Sequence, residues 1–465
     1  MTQLGGRPKP FLFPEFCKGC GRCIEACPKH CISLGNEINP ATGLIPVHLD
    51  LDQCNGCGLC LSACPEPYGL AANAAGAEYT LEDPAALFGP RRKPAEAVTL
   101  PDVAVGFGAA EPLVIKGTYA SAIGALLAGC RHFFGYPITP STEGAELMAK
   151  ILPKLDGVFV QAVSETAAVN MMYGCSGAGL RCMTFTSSPG FSLMLEGISY
   201  MIGAELPGVF VNVMRGGPGL GNIGPEQADI KLACRGLGHG NTHAIVLAPS
   251  TPQEMLDLTR LAFELSFVYR NPVVILGDGY LGQMTGKVEL PLSVVQPGLP
   301  SWAVSGDAAH RGNLICSIFL SEPDLEAHNE RLNAKYLLIG QREQRAEPYQ
   351  CDDADVVLVA CNTPARMAKG AVADLRARGI RAGLFRPVTL WPFPIDLLRP
   401  IAERARRIVV VEASAGQLED ELRLAMSHAG IGAGIVLDSV RRMGGVLPGQ
   451  REIVERVVAA EGASS

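Results

Sequence analysis

Nine of the sixteen cysteines lie between positions 17 and 64, and eight of them form two runs with identical spacing. The spacing is C-x2-C-x2-C-x3-C, and a proline follows each run. This pattern is typical of 4Fe–4S ligation in which the fourth cysteine of each run binds the other cluster. The runs therefore predict two 4Fe–4S clusters. The first would be held by Cys17, Cys20, Cys23 and Cys64, and the second by Cys54, Cys57, Cys60 and Cys27.

A pair of structural zinc sites is the alternative for these thiols. Zinc sites usually combine two C-x2-C pairs that are well separated in sequence, whereas here each triplet is followed at once by a fourth cysteine. Cys31 falls outside both runs and is predicted to be a small buried side chain. The seven later cysteines show no ligand spacing, so core packing is predicted for them.

Three glycine-bearing segments could be cofactor loops. Gly219-x-Gly221-x-x-Gly224 imitates a dinucleotide fingerprint, but no acidic residue lies between Asp229 and Glu254, where a ribose partner is expected. Gly277-Asp278-Gly279 imitates the start of a motif that holds a metal and a diphosphate. The asparagine-rich end of that motif is missing downstream, so a tight turn is predicted. The segment SSPG at 187–190 is either a ligand-facing loop or a simple turn.

These segments lie where short apolar runs alternate with helix-like stretches. That alternation predicts an α/β fold with a parallel sheet covered on both faces, and such sheets bind ligands at the carboxyl ends of their strands. The predicted strands are 157–160, 181–186, 208–214, 245–248 and 272–276, and the predicted helices are 118–128, 166–173 and 252–269. A second α/β region is predicted with strands at 355–360 and 407–411 and helices at 365–378 and 417–427.

The composition divides the chain into five parts. They are an iron–sulfur domain at 1–70, a linker at 71–111, the parallel-sheet domain at 112–285, an irregular connector at 286–345 and a C-terminal α/β domain at 346–465. The first of these is expected to be a small α+β domain of the ferredoxin type, because of its cysteine runs.

Composition also excludes several classes of protein. The net charge is −7 and no basic stripe occurs, which argues against nucleic-acid binding. The stretch 290–306, which has no charged residue, is too short for a membrane span and is interrupted by prolines. The N-terminus lacks the apolar core of a signal peptide. A cytoplasmic location is therefore predicted, in which the thiols stay reduced and available as ligands.

Four segments closely resemble the alpha subunit of 2-oxoacid:ferredoxin oxidoreductases. They are GYPITPSTE (135–143), VSETAAVNMMYGCSGAG (163–179), TSSPGFSLMLEGISYMIGAELP (186–207) and VNVMRGGPGLGNIGPEQAD (211–229). RGGPGLGNIGPEQAD and LGDGYLGQM are most similar to the branched-chain 2-oxoacid type. The cysteine runs are similar to the delta subunit of that family, a two-cluster ferredoxin. The resemblance therefore implies a fusion of delta and alpha subunits.

This resemblance implies that thiamine diphosphate lies between an alpha and a beta subunit. The parallel-sheet domain would be the pyrimidine-side domain, and FRPVTLWPFP (385–394) would belong to a transketolase C-terminal-like domain. The beta subunit would hold Mg²⁺, the diphosphate and another cluster. Glu165 matches the cofactor-activating glutamate of the family. The alternative is an acidic residue in the first turn of a helix capped by Ser164.

Two further residues match positions of the family that contact substrate or loop. Thr139 corresponds to a threonine whose hydroxyl bonds to the 2-oxoacid, and its alternative is a helix-capping residue. Arg215 could pair with a substrate carboxylate or a phosphate, or it could brace the loop or a subunit contact. Ser188 stands where the family motif often has glycine.

The implied activity is the oxidative decarboxylation of a 2-oxoacid to acyl-CoA, with coenzyme A as co-substrate. A branched-chain 2-oxoacid is the expected substrate, and aryl 2-oxoacids (phenylglyoxylate, indolepyruvate) or 2-oxoglutarate are the alternatives. The expected partners are a beta subunit, a gamma subunit, and an external ferredoxin or partner oxidoreductase. A function of another class, a non-catalytic electron-transfer scaffold, remains as a rival.

Overall fold

The computed structural model describes residues 9–40, 42–66, 69–72 and 97–462. The chain forms two compact units, Met1–Lys93 and Pro94–Ser465, and each is described by itself. No helix in the described ranges is long and apolar enough to cross a lipid bilayer.

The first unit is a small α+β fold, as predicted, and thiols form part of its core. Its elements are β1 (Pro10–Leu12), a 3-10 helix (Pro14–Phe16), α1 (Arg22–Glu25), β2 (Ile32–Leu34), β3 (Val47–Leu49), α2 (Leu59–Ala63) and β4 (Leu70–Ala72). Antiparallel ladders join β1 to β4 and β2 to β3. Each helix follows a glycine with a φ of 77°, Gly21 or Gly58, so the two cysteine runs fold alike. The buried core consists of Cys23, Cys31, Ile32, Val47, Cys60 and Leu70.

The second unit contains sixteen described strands and twelve described α-helices. The strands are β5 (Val103–Gly106), β6 (Leu113–Lys116), β7 (His132–Gly135), β8 (Val158–Gln161), β9 (Cys182–Thr186), β10 (Gly208–Met214), β11 (Ile245–Leu247), β12 (Pro272–Asp278), β13 (Thr285–Val288), β14 (Ser293–Gln296), β15 (Ala346–Tyr349), β16 (Val356–Val359), β17 (Ala382–Pro387), β18 (Thr389–Trp391), β19 (Arg407–Glu412) and β20 (Val436–Arg441).

The helices of this unit alternate with many of its strands. They are α3 (Gly117–Leu127), α4 (Thr142–Ile151), α5 (Glu165–Gly177), α6 (Ser188–Gly203), α7 (Ile230–Arg235), α8 (Pro252–Tyr269), α9 (Gly279–Gln283), α10 (Glu322–Arg342), α11 (Asn362–Ala377), α12 (Ile395–Ala402), α13 (Gln417–Ala429) and α14 (Gln450–Gly462), with a 3-10 helix at Leu152–Leu155.

The central sheet has seven strands in the order β18-β11-β12-β10-β9-β7-β8. Six strands run parallel, which confirms the predicted parallel sheet, and β18 pairs antiparallel with β11 at one edge. Every residue of β9, β10 and β12 is buried, as expected for strands covered on both faces. Because the strands are parallel, the segments that follow them meet along one edge of the sheet.

A second sheet lies in the C-terminal part of the unit, with the order β15-β17-β16-β19-β20. Its inner strands are parallel, and β15 pairs antiparallel with β17. A separate cluster of buried side chains, which includes Val356, Val372, Val411 and Val454, packs β16 and β19 against α11 and α14. This sheet confirms the predicted second α/β region.

Residues 286–345 are not irregular throughout, so the prediction of an irregular connector is wrong in part. The 21-residue helix α10 lies there, and β14 pairs antiparallel with β5. Only four residues of α10 are buried, namely His328, Leu332, Tyr336 and Ile339. They are spaced three or four positions apart and form one narrow stripe, and the many charged residues between them hide the helical period in the sequence.

Two other predicted boundaries differ from the structure. The predicted linker at 71–111 contains β5, and residues 73–96 of it lie outside the described residues. β18 belongs by position to the C-terminal domain at 346–465, but it extends the central sheet through β11. The central sheet is therefore completed by a strand that begins more than a hundred residues after the end of the predicted parallel-sheet domain, 112–285.

Candidate functional site

Four of the predicted cluster ligands surround one small cavity in the first unit. Cys27, Cys54, Cys57 and Cys60 line this cavity, and Cys31 lies beside them. Cys27 comes from the first cysteine run and the other three come from the second run. The backbone N–H of Cys31 donates to Cys27 Sγ at 3.3 Å, a contact that favours a thiolate at this position. This grouping of Cys27 with three thiols of the second run is the one that the predicted crossed ligation requires.

A different group of thiols surrounds Cys23. Burial, with smaller contributions from neighbouring thiols, raises the pKa of Cys23 to about 11. Those neighbours are Cys17, Cys20 and Cys64. Burial also raises the pKa of Cys60, whose neighbouring thiols are Cys27 and Cys54. A thiol in such surroundings gives up its proton when its sulfur binds a metal. Binding of a cluster would therefore release protons.

The zinc alternative finds no support in this arrangement. Within the described ranges, no three cysteine, histidine or carboxylate side chains lie close enough together to hold one metal ion. A zinc ion needs its ligand atoms at about 2.0–2.3 Å from a single centre. A 4Fe–4S cluster instead takes one thiolate at each iron corner, which spaces the ligands more widely.

Thr139, Glu165 and Arg215 all follow strands at the same edge of the central sheet. Thr139 lies in the loop after β7, Glu165 begins α5 after β8, and Arg215 follows β10 directly. The Thr139 side chain is exposed, and it does not cap α4, whose N-cap is Ser141. The capping alternative for Thr139 is therefore wrong.

The structure brings Arg215 and Thr139 into contact. The Arg215 Nη1–H donates to the Thr139 carbonyl oxygen at 2.8 Å, and Nη2–H donates to the Leu220 carbonyl oxygen at 3.3 Å. Arg215 therefore braces two loops, which was one of its predicted alternatives. Its Nε atom is buried and finds no hydrogen-bond partner among the described residues. That N–H group is therefore a donor whose bonding capacity is unused within this chain.

Glu165 is the first residue of α5 and is only 4% exposed. Ser164 caps this helix, because its hydroxyl accepts the N–H of Ala167 at 3.2 Å, as the sequence predicted. The carboxyl group packs against the first turn of α6, where a Cβ on Gly190 would lie 2.5 Å from Glu165 Oε1. A carboxyl at an exposed helix start would gain only the capping interaction, whereas Glu165 is held in a buried cradle.

Ser188, which replaces the glycine of the family motif, is the first residue of α6. Its hydroxyl accepts the backbone N–H of Arg215 at 3.0 Å. Burial raises the pKa of Asp229, and hydrogen bonds from Ser188 and Asn212 offset only part of that rise. Asn212 Nδ2 donates to Asp229 Oδ2 at 2.9 Å. The sequence analysis missed Asp229, although it ends the resembling segment 211–229.

The glycine-rich loop after Arg215 folds back on itself. Arg215 forms an isolated bridge with Pro225, and the Gly217 N–H donates to Glu226 Oε2 at 3.0 Å. Burial raises the pKa of Glu226. No helix begins between the loop and Ile230, so the loop does not open a helix as a dinucleotide fingerprint does. The dinucleotide alternative is not supported.

This loop lines a cleft of 530 Å³. Arg215, Glu226 and Asp229 contribute charged groups to its wall, and Gln417 and Met443 come to it from the C-terminal part of the chain. Gln417 Oε1 is buried without a hydrogen-bond partner among the described residues. The cleft therefore offers both donors and acceptors beside the Arg215–Thr139 pair.

Asp278 of the Gly-Asp-Gly segment caps α9 rather than forming the predicted tight turn. Its Oδ1 accepts the N–H groups of Tyr280 and Leu281 at 3.0 and 2.9 Å and the Thr363 hydroxyl at 2.8 Å. Its Oδ2 accepts the Thr363 N–H at 2.8 Å. Four protein donors thus occupy this fully buried carboxyl group, which leaves it no role as a metal ligand in this arrangement.

Three protein-family models match the chain. Residues 16–67 match a 4Fe–4S dicluster domain. Residues 123–302 match the thiamine diphosphate-binding domain of pyruvate flavodoxin/ferredoxin oxidoreductases, and residues 354–453 match core domain II of pyruvate:ferredoxin oxidoreductase.

Two relatives point to the same family. The ketoisovalerate oxidoreductase subunit VorB of Methanothermobacter thermautotrophicus is 48% identical over 354 residues, which cover 76% of this chain and 99% of that protein. The 2-oxoglutarate synthase subunit KorA of Methanocaldococcus jannaschii is 34% identical over 338 residues, which cover 68% of this chain and 92% of that protein.

A solved structure is also similar. It is the 2-oxoglutarate:ferredoxin oxidoreductase of Magnetococcus marinus with 2-oxoglutarate, coenzyme A and succinyl-CoA bound. The similarity has a TM-score of 0.68 at 27% identity, and it covers 75% of this chain and 65% of that one. The chain therefore belongs to the 2-oxoacid:ferredoxin oxidoreductase family, and it joins the thiamine diphosphate-binding and core domains of that family to an N-terminal 4Fe–4S domain.

Proposed function

We propose that this chain is a subunit of an enzyme that oxidatively decarboxylates a 2-oxoacid. One 2-oxoacid anion and one coenzyme A yield acyl-CoA, CO2, one proton and two electrons, and the electrons leave singly through 4Fe–4S clusters. The observation that carries the proposal is one sheet edge that holds both the buried Glu165 and the Arg215–Thr139 pair. The family match of residues 123–302 to a thiamine diphosphate-binding domain supports it.

The residues of this chain bind and orient the reactants. Thiamine diphosphate, when bound, supplies the electron sink for decarboxylation. The Glu165 carboxyl bonds to the aminopyrimidine side of the cofactor, and its burial excludes water that would compete for that bond. The Thr139 hydroxyl bonds to the 2-oxoacid, and the free Nε–H of Arg215 pairs with an anionic group of substrate or cofactor.

The N-terminal unit conducts the electrons in this proposal. One cluster is held by Cys54, Cys57, Cys60 and Cys27, which share a cavity, and the other by Cys17, Cys20, Cys23 and Cys64. Two clusters allow one-electron steps out of a two-electron reaction. An external ferredoxin or a partner oxidoreductase accepts the electrons.

The catalytic centre is shared with a beta subunit, which holds Mg²⁺ and the cofactor diphosphate. The support for this division is Asp278, whose carboxyl group is already occupied by four donors from this chain. A gamma subunit completes the complex, and the complex works in the cytoplasm. The relatives are themselves named as subunits of oxidoreductases, which agrees with a chain that does not act alone.

A branched-chain 2-oxoacid such as 2-oxoisovalerate is the proposed substrate. It is supported by the 48% identity to a ketoisovalerate oxidoreductase subunit, against 34% to a 2-oxoglutarate synthase subunit. Phenylglyoxylate, indolepyruvate and 2-oxoglutarate are the alternative substrates.

The test is an assay of the complex isolated from its native cell without oxygen. Reduction of a viologen dye that depends on coenzyme A is measured with a panel of 2-oxoacids, and bound thiamine and iron are determined in the same preparation. We expect the highest activity with 2-oxoisovalerate. The opposite ranking would keep the reaction and change the substrate.

Two other outcomes would overturn the proposal. A complex that contains iron but no thiamine, and that reduces no dye with any 2-oxoacid, would be an electron-transfer scaffold. Turnover by the isolated chain would contradict the division of the centre between this chain and a beta subunit.

A further inference from the structure

The loop between β7 and α4 has three successive carbonyl groups, and each one accepts a hydrogen bond from a side chain. The Ile138 carbonyl accepts the Ser141 hydroxyl at 2.7 Å, and the Thr139 carbonyl accepts Arg215 Nη1–H at 2.8 Å. The Pro140 carbonyl accepts Gln283 Nε2–H at 3.0 Å. Backbone carbonyls of an exposed loop can be satisfied by water, so three protein donors in a row indicate a loop held in one conformation.

We propose that Gln283 and Lys116 are positioning residues that fix this loop together with Arg215, and thereby hold Thr139 for the 2-oxoacid. The inference rests on the proposed function of Thr139. Lys116 lies outside all of the segments that resemble the family. Gln283 lies in one of them, LGDGYLGQM, but was not predicted to be a site residue.

Gln283 is brought to the loop by the Gly-Asp-Gly segment. Asp278 ends β12 and caps α9, and Gln283 is the last residue of that short helix. Gly279 packs against the loop, because a Cβ built there would lie in van der Waals contact with Pro140 Cγ at 3.5 Å. The segment that imitates a metal-binding motif therefore forms a seat for the Thr139–Pro140 loop.

Lys116 determines which end of the Gln283 amide faces Pro140. Its Nζ donates to Gln283 Oε1 at 3.2 Å and to Glu143 Oε1 at 2.6 Å. An ammonium group can only donate, so it selects the amide oxygen and leaves the NH2 group for the Pro140 carbonyl. Glu143 lies in the first turn of α4, so Lys116 also links Gln283 to the element that follows the loop.

The effect expected of this pair is on substrate binding. If Thr139 bonds to the 2-oxoacid equally in the ground state and the transition state, a looser loop raises KM and leaves kcat nearly unchanged. Loss of one such hydrogen bond corresponds to a change of about tenfold. The Glu165 cradle and the cluster ligands lie on other elements and should not respond.

The experiment uses the complete enzyme complex with five variants of this chain. Gln283→Leu removes the amide, and Gln283→Glu keeps the shape and the contact to Lys116 but removes the donor to Pro140. Lys116→Met removes the charge, and Lys116→Arg restores it. The matched control is Gln253→Leu, because Gln253 also donates from Nε2 to a backbone carbonyl, that of Glu289 at 3.1 Å.

We expect both Gln283 variants to raise KM for 2-oxoisovalerate about tenfold while kcat stays within about twofold. Lys116→Met should raise KM for 2-oxoisovalerate by a smaller factor, and Lys116→Arg should keep KM near the wild-type value. KM for coenzyme A should not change in any of the variants. Unchanged KM in both Gln283 variants, or an equal loss in Gln253→Leu, would overturn the inference.

Hydrogen exchange keeps the two proposals distinguishable. The amides of Ser141 and Gly144 are bonded within the loop and the start of α4, to the carbonyls of Ile138 and Ser141. They should exchange faster in Gln283→Leu than in the wild type or in Gln253→Leu. A wild-type complex that lacks 2-oxoacid activity would overturn the proposed function. The role of Gln283 in substrate binding would then be overturned as well. Unchanged exchange in an active complex would overturn the inference alone.

Discussion

The carboxyl group of Glu165 fills the space that Gly190 leaves by having no side chain. A Cβ on Gly190 would lie 2.5 Å from Glu165 Oε1, and closer still to the Thr186 hydroxyl. The first residue of α5 is therefore held by the first turn of α6, across the edge of the central sheet. Glu165 and Gly190, which lie in two different segments that resemble the same family, are thus coupled through a steric contact.

Gly190→Ala should displace Glu165 and weaken the cofactor site. The added methyl group has no free space, so we expect a loss of about 1–3 kcal/mol in the free energy of unfolding, together with reduced bound thiamine in the purified complex. Thermal unfolding and thiamine content are the measurements. Gly174→Ala is the matched control, because nothing lies within 4 Å of a Cβ at that position of α5. It should stabilise the helix by up to about 1 kcal/mol, and retention of thiamine by Gly190→Ala would contradict the prediction.

Glu165→Gln should separate an enzyme from a scaffold. The amide keeps the size of the side chain but cannot bond to the aminopyrimidine as a carboxyl group does, so dye reduction with 2-oxoacids should fall by about 100-fold or more. The iron content and the spectra of the reduced clusters should not change, because the clusters belong to the other unit. A variant with wild-type turnover would show that Glu165 only stabilises the start of the helix.

Exchange of single cysteines should test the crossed ligands. Cys27→Ser should damage the cluster that also binds Cys54, Cys57 and Cys60, and Cys64→Ser should damage the other one. Iron and sulfide analysis with electron paramagnetic resonance of the reduced protein would distinguish the two. Cys31→Ser is the control, since Cys31 lies beside the same cavity but outside both runs. Loss of the cluster bound by Cys54, Cys57 and Cys60 in Cys64→Ser, and of the other cluster in Cys27→Ser, would argue against crossed ligation.

The stability of the second unit should depend on the protonation of Asp229. Burial raises its folded pKa above the ordinary value of 3.8, so the folded state binds the proton more tightly than the unfolded state does. Stability therefore falls as the pH rises from about 3.8 through the raised folded pKa, by about 1.4 kcal/mol for each unit between the two values. Asp229→Asn removes this dependence, so the wild type should gain stability relative to the variant as the pH is lowered.

Tryptophan fluorescence during denaturation can measure this difference between pH 7.5 and pH 3.8, a range that reaches the ordinary pKa of Asp229. Both tryptophans, Trp302 and Trp391, lie in the second unit, so the signal does not report the cluster domain. Asp324→Asn, in the exposed first turn of α10, controls for the loss of one negative charge. A constant difference between Asp229→Asn and the wild type across this range would contradict the assigned burial of Asp229.

Local sequence determined the features that depend on near neighbours. The cysteine runs could be read directly, because three ligands within seven residues are constrained by the short chain between them. The strand Gly208–Met214 and the helix Pro252–Tyr269 were predicted with their observed bounds, since a continuous apolar run and a clear helical period identify them. By contrast, β7 and α6 were not among the elements predicted from the sequence.

Tertiary structure alone decided which distant residues meet. Arg215 reaches Thr139 across 76 residues, and Gln283 reaches Pro140 across 143, because β7, β10 and β12 end at one edge of the sheet. The order of strands in a sheet is set by the packing of the whole domain and leaves no local pattern in the sequence. The chemistry of each side chain was therefore legible in the sequence, whereas the set of side chains that act together depends on the fold.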